Sequence, residues 1–119
     1  MMQPIIVIRK ANVHDIDRIK ELSDKERNSL GFMTRATYNH YIELGQILVV
    51  LVGDLLVGFQ LYYHRKRDSQ TTLYQKTIDR DYRQNGYATL LVEAVKNEAR
   101  MIGHNCLLLK CPEGLPSNE

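Results

Sequence analysis

The apolar positions change period several times along the chain, and each change marks an element. Residues 5–9 read as a first strand. Asn12 caps the segment that follows, with Asp15 favoured three residues later in its first turn. Ile16, Ile19 and Leu22 then form a helical stripe, with Asp17, Lys20, Glu21 and Lys25 off it. Gly31 breaks this pattern. Thr34 is placed to cap a second, shorter helix through Tyr38, Tyr41 and Ile42, which Gly45 ends. Two apolar runs at 47–52 and 55–63 flank Gly53-Asp54, a two-residue hairpin signal. A second hairpin turns through residues 65–70 into a strand ending at Ile78. Residues 87–102 carry the longest helical pattern, with Leu91, Ala94, Val95, Glu98 and Ile102 on one side and Gly103 as its stop. Residues 106–111 read as a short buried strand, parallel to its partner because a helix connects the two. The predicted order is β-α-α-β-β-β-α-β. It describes an α/β protein of α+β type: a mixed, mainly antiparallel sheet with helices on both faces.

Chemistry concentrates where the third strand of the meander gives way to the long helix. Arg83, Gln84, Asn85, Gly86, Tyr87 and Ala88 make a Gly-containing turn there. The first amides of a helix have no internal partners, and the helix dipole adds partial positive charge. Gly86 lets backbone approach a ligand, small Ala88 keeps that approach open, and Arg83 supplies a fixed cation suited to phosphate. The residues therefore point to a pyrophosphate-bearing ligand. The spacing is not that of a nucleotide P-loop, because Thr89 follows Ala88 and no Lys is present. It is not a dinucleotide fingerprint either, because only Gly86 is in place.

Arg-x-x-Gly-x-Ala after a strand resembles the acyl-CoA loop of the GNAT superfamily of N-acetyltransferases. The element order agrees, so the resemblance covers nearly the whole of residues 1–119 as one domain. It implies acetyl transfer from acetyl-CoA to a primary amine of a small molecule or peptide. The pyrophosphate would meet amides and side chains of Arg83, Gln84, Asn85, Gly86, Tyr87, Ala88 and Thr89. The pantetheine arm would lie against backbone near Thr77, Ile78 and Arg80, with Leu109 and Cys111 facing the strand split. The carboxylate that the family often places ahead of the loop is not matched: Tyr74, Gln75 and Lys76 stand there. Tyr74 and His64 are the substitutes, set against readings as a half-buried strand residue and a solvated hairpin-tip side chain. A cluster of Tyr38, Tyr41, Tyr62 and Tyr63 is placed either to line an acceptor pocket or to pack the core and its rim. The family continues with a helix marked by Phe-Tyr, which supplies its usual general-acid Tyr. This sequence ends at Leu115, Pro116, Ser117, Asn118 and Glu119, about where Phe-Tyr would follow. The expectation is a domain truncated at its C-terminus, with an open sheet edge that invites a homodimer. The alternative is a non-catalytic acyl-CoA-binding module, or a fragment completed by a partner chain.

Composition narrows the remaining classes. The chain has 119 residues, 44% of them hydrophobic and 25% charged, with a net charge of +2. That suits a single globular domain and gives no electrostatic reason to expect nucleic acid. The one dense basic run is His64, Arg65, Lys66 and Arg67, beside Asp68 and Ser69. No apolar run reaches the roughly 18 residues of a membrane span. Cys106 and Cys111 would point to opposite faces of one strand, which excludes a bond between them there. Cys111 reads as a small core residue rather than a nucleophile. No metal-binding spacing occurs, and a cytoplasmic, reduced protein is expected.

Overall fold

The computed structural model describes residues 4–26 and 33–107. Its elements are β1 (Ile6–Lys10), α1 (Ile16–Lys25), α2 (Arg35–Glu43), β2 (Ile47–Val52), β3 (Leu55–Arg65), β4 (Gln70–Ile78), α3 (Tyr87–Met101) and β5 (Asn105–Leu107). The five strands lie in one sheet in chain order, β1-β2-β3-β4-β5. Pairing is antiparallel from β1 to β4 and parallel between β4 and β5. The predicted order and mixed sheet are thus the observed ones. The Gly31 break and residues 108–111 of the last predicted strand, with Leu109 and Cys111, lie outside the described residues.

Local chemistry explains the boundaries. Asn12 accepts from the His14 amide, while Asp15 reaches back to the Asn12 amide at 2.8 Å, a reciprocal cap. The cap opens a short 3-10 turn, Val13–Asp15, which runs directly into α1. Thr34 accepts from the Thr37 amide at the start of α2. The Gly53-Asp54 turn joins β2 and β3 as the sequence signal required.

Two cores result, one on each face of the sheet. Ile19, Leu22, Tyr38, Ile47, Val49, Phe59 and Leu61 pack beneath α1 and α2. Tyr38 meets Phe59 edge-on at 5.9 Å, the geometry aromatic pairs prefer. Leu48, Val50, Val57, Tyr62, Leu73, Ile78, Leu91 and Val95 pack beneath α3. Successive strand residues point to opposite faces, so adjacent Tyr62 and Tyr63 separate: Tyr62 joins the α3 core, and Tyr63 lies against the other. The predicted tyrosine cluster is therefore not one cluster. On α3, Leu91, Val95 and Ala99 are buried, whereas Ile102 is about half exposed beyond the helix end. Lys20, expected off the α1 stripe, is largely buried and pairs with Asp24 at 2.6 Å.

Two irregularities in the meander position the site. The β3–β4 register slips between Leu61 and Tyr62, leaving Tyr74 as an extra residue on β4. Tyr74 and Gln75 consequently both reach toward α1 and α2: Tyr74 packs on Tyr63, and Gln75 accepts from the Tyr38 hydroxyl at 3.1 Å. The other irregularity is Gly58, paired with Val50 on one side and Ile78 on the other. A Cβ there would lie 2.5 Å from Ile78 Cδ1 and 2.9 Å from the Thr77 carbonyl oxygen. The end of β4 is held close to β3 only because this residue has no side chain.

Candidate anion cleft at the β4 to α3 turn

After Ile78 the chain makes a 3-10 turn, Arg80–Tyr82, capped by Asp79, whose carboxylate accepts from the Asp81 amide at 3.0 Å. Asp79 is further tied to α1 by Arg18 at 2.8 Å. The Asp81 amide first, and Arg18 after it, hold the Asp79 carboxyl below the usual range against the opposing effect of burial. Gln84 and Gly86 then take left-handed conformations, with φ of 66° and 81°. A non-glycine residue in that region is strained, and such strain clusters at ligand clamps. Asn85 secures the loop by donating to the Tyr82 and Arg83 carbonyls, at 3.0 and 3.2 Å.

Gly86 is the N-cap of α3 and offers no side-chain cap, and no acidic residue follows in the first turn. The first intrahelical bond runs from the Leu90 amide to the Gly86 carbonyl. The amides of Tyr87, Ala88 and Thr89 precede it and therefore have no helical acceptor. Beyond its immediate chain neighbours, nothing lies within 4 Å of where a Gly86 Cβ would sit. The glycine faces an open cleft of about 1010 Å³. Of the predicted residues, Thr77, Ile78, Arg80, Arg83, Gln84, Gly86, Tyr87, Ala88 and Thr89 line this cleft together, and Asn85 instead braces the loop behind it. Thr77 is buried, and its hydroxyl finds no hydrogen-bond partner among the described residues. A buried hydroxyl left so is costly, which suits a strand that receives a polar ligand. Uncapped amides, guanidinium groups and an absent Cβ are the features that suit a turn to phosphate oxygens.

No protein-family model and no curated protein matches this sequence. Solved structures do. N-acetylglutamate synthase from Neisseria gonorrhoeae, complexed with coenzyme A and N-acetyl-glutamate, superposes with a TM-score of 0.77 at 18% identity, over 87% of this chain and 24% of that one. Ribosomal-protein-alanine N-acetyltransferase from Brucella melitensis biovar Abortus 2308 gives 0.74 at 18%, over 92% and 82%. A GCN5-related N-acetyltransferase from Kribbella flavida gives 0.69 at 15%, over 86% and 29%. The fold is that of the GNAT N-acetyltransferases. The chain spans about a quarter of the Neisseria enzyme's length and most of the Brucella enzyme's.

Within this GNAT fold the two side chains predicted for proton transfer part company. Tyr74, at the bulge, is 41% exposed and is the outer member of an aromatic row. Its ring lies 5.6 Å from Tyr63, which stacks on Tyr41 at 6.4 Å. Burial, and after it the neighbouring Tyr63 and Tyr74, pushes the Tyr41 phenol up.

His64 requires a correction. It is not a solvated hairpin-tip side chain: it is largely covered, with Nε2 2.7 Å from Glu98 and Nδ1 2.7 Å from the Thr71 hydroxyl. The Thr71 hydroxyl in turn meets His104 Nδ1 at 3.2 Å, so the two imidazoles share one hydroxyl. Lys10 and Tyr62 also donate to Glu98. Glu98 lies eleven residues beyond Tyr87, about 16 Å along α3 from the anion cradle. This assembly joins β1, β3, β4 and α3 and belongs to the stability of the fold.

Burial alone would raise the Glu98 carboxyl, but Lys10, His64 and Tyr62 together hold it below its usual range. A carboxyl lowered on folding stabilises fully above its unfolded pKa of about 4.3, and that contribution is lost as pH falls through the lower folded value. Glu98→Gln is expected to cost about 2 kcal/mol at neutral pH, the scale of hydrogen bonds to charged groups. Denaturant melts from neutral pH down through the carboxylate range should show the difference from wild type shrinking with acid. A constant difference would separate the loss from the carboxylate's charge.

Sequence reasoning missed four charged residues of the cleft, among them Glu93 on α3, which pairs with Lys96 at 3.7 Å. Lys76 and Lys96 line it from β4 and α3. Glu26, at the end of α1, receives bonds from both Arg80 and Arg83. No local pattern marks Glu26, because its partners lie more than fifty residues further along the chain.

Proposed function

We propose that the chain is an acetyl-CoA-dependent N-acetyltransferase acting on a primary amine of a small molecule or peptide. The observation that carries the reading is the cradle: a left-handed glycine N-cap, free helix amides and two arginines in the fold of enzymes solved with coenzyme A. The Neisseria neighbour's complex with coenzyme A and N-acetyl-glutamate supports acetyl-CoA as the co-substrate and a small amino acid as the kind of acceptor. Phosphates would meet the amides of Tyr87, Ala88 and Thr89 and the guanidinium groups of Arg80 and Arg83. The arm carrying the thioester would run back along β4 from Ile78 toward Tyr74, about 13 Å of strand.

In the reaction the amine nitrogen bonds to the thioester carbonyl carbon, the carbon–sulfur bond breaks, and the amine loses a proton as the thiol gains one. The bulge frees backbone at Tyr74 from the β3 ladder, and an amide there is suited to the developing oxyanion. The Tyr74 phenol, on the face shared with Tyr63 and Tyr41, would serve the proton transfer. His64 takes no part in this scheme.

Calorimetric titration with acetyl-CoA should give one-to-one binding, and thiol release should follow with some member of a panel of amines. Tyr74→Phe is expected to lower turnover about a hundredfold with acetyl-CoA affinity unchanged, within the range of general acid–base contributions. Binding without turnover across a broad panel would leave an acyl-CoA-binding module. No binding would defeat the reading altogether.

A further inference from the structure

The cleft assigned to a pyrophosphate already holds a carboxylate. Glu26 takes Arg80 in a two-pronged pair, accepting Nε at 3.0 Å and Nη2 at 3.1 Å, and accepts from Arg83 as well. Its side chain is only 13% exposed, whereas Arg80 is 68% and Arg83 46% exposed. The acid is thus the most covered member of the cluster, and both arginines reach it from more exposed positions. Arg83 is held besides by donating Nε to the Ile78 carbonyl at 3.1 Å. The paired guanidinium fork is the same one that recognises phosphate oxygens, so one set of donors faces two kinds of anion.

We propose that Glu26 is an internal competitor for the arginines of the cradle and thereby sets which anions the cleft accepts. The inference rests on the acetyl-CoA reading of that cleft. An entering phosphate must either share the guanidinium groups with Glu26 or displace it. Sharing places like charges side by side, and displacement leaves a covered carboxylate without its partners. A single phosphate also reaches few of the donors. Two linked phosphates reach both the arginines and the amides of Tyr87, Ala88 and Thr89, so they offset the loss of Glu26. The carboxylate therefore acts as a filter favouring pyrophosphate-bearing ligands over monophosphates. Lys76 and Lys96, which also line the cleft, raise affinity for any anion and do not discriminate in this way.

The test compares wild type with Glu26→Gln by calorimetry at fixed ionic strength, with coenzyme A, inorganic pyrophosphate and inorganic phosphate as probes. The variant is expected to bind all three more tightly, coenzyme A by about tenfold and phosphate by more, so that discrimination between them narrows. A merely structural Glu26 predicts the reverse, since loosening the loop would weaken every probe. Unchanged or weaker binding by a folded variant, beside a wild type that binds coenzyme A, overturns this inference and leaves the acetyl-CoA reading standing. If neither protein binds coenzyme A or pyrophosphate, that reading fails and the inference falls with it. Should the variant not fold, carbon NMR of wild type with labelled glutamate decides. The Glu26 carboxylate signal should move when pyrophosphate binds, and a bound probe with an unmoved signal overturns the proposal.

Discussion

Gly86→Val is expected to leave the chain folded and to weaken coenzyme A binding by about a hundredfold, or roughly 2.7 kcal/mol. Two separate effects converge on this residue. Its φ of 81° lies where a branched side chain is strained, at a cost of about 1–2 kcal/mol. That strain falls on the turn and pulls the first amides of α3 out of alignment. The added side chain would also project into the cleft, where no protein atom beyond its immediate chain neighbours stands within 4 Å. Protein packing therefore does not oppose the substitution, and the ligand would. Calorimetry on Gly86→Val and Gly86→Asn separates the two contributions, because Asn tolerates the left-handed region yet still fills the space. Wild-type affinity in the Asn variant would show that conformation alone matters. Wild-type affinity in both would remove this turn from the binding site.

Gly58→Val should have the largest effect on the fold, about 3 kcal/mol of lost stability, at the upper end of what overpacking costs. The nearest neighbours of the missing Cβ explain why. Ile78 Cδ1 at 2.5 Å is a flexible end that could swing away, but the Thr77 carbonyl oxygen at 2.9 Å is backbone. Val50 Cγ1 at 3.1 Å closes the other side. Relief requires β4 to move off β3 at Thr77 and Ile78, two of the strand residues that line the cleft. Chemical denaturation should show the midpoint falling, with coenzyme A affinity falling in the molecules that remain folded. A loss below about 1 kcal/mol, the cost of a tolerated core change, would mean that the sheet adjusts freely there.

Features written in neighbouring residues were legible. Asn12 with Asp15, Thr34, Gly53-Asp54 and Gly103 each act within a turn of chain, and each marks a boundary in the structure. The turn and helix start at Arg83 through Thr89 were legible as local structure for the same reason: they form one contiguous turn and one helix end. The misread residues depend on partners far away in sequence. His64 looked like part of a basic turn because nothing near it shows that Glu98, 34 residues on, would cover it. Glu26 carries no local mark, because Arg80 and Arg83 lie more than fifty residues further along the chain. The bulge at Tyr74 is a mismatch between two strands, and neither strand carries a mark of it. Tyr62 and Tyr63 are different: alternation along a strand already assigns them to opposite faces, and that signal was present.

The sheet has the same order as the chain, and this has a kinetic meaning. Every strand lies beside its sequence neighbour, so the meander from β2 to β4 closes through two short turns. Hairpins of that kind form in about 1–10 μs. β1 and β5 must each wait for a longer loop bearing helices to close, and closure entropy grows with loop length. The three central strands are therefore the natural folding nucleus. The cleft, built where β4 leaves that nucleus for α3, takes shape only when the slower outer pieces arrive.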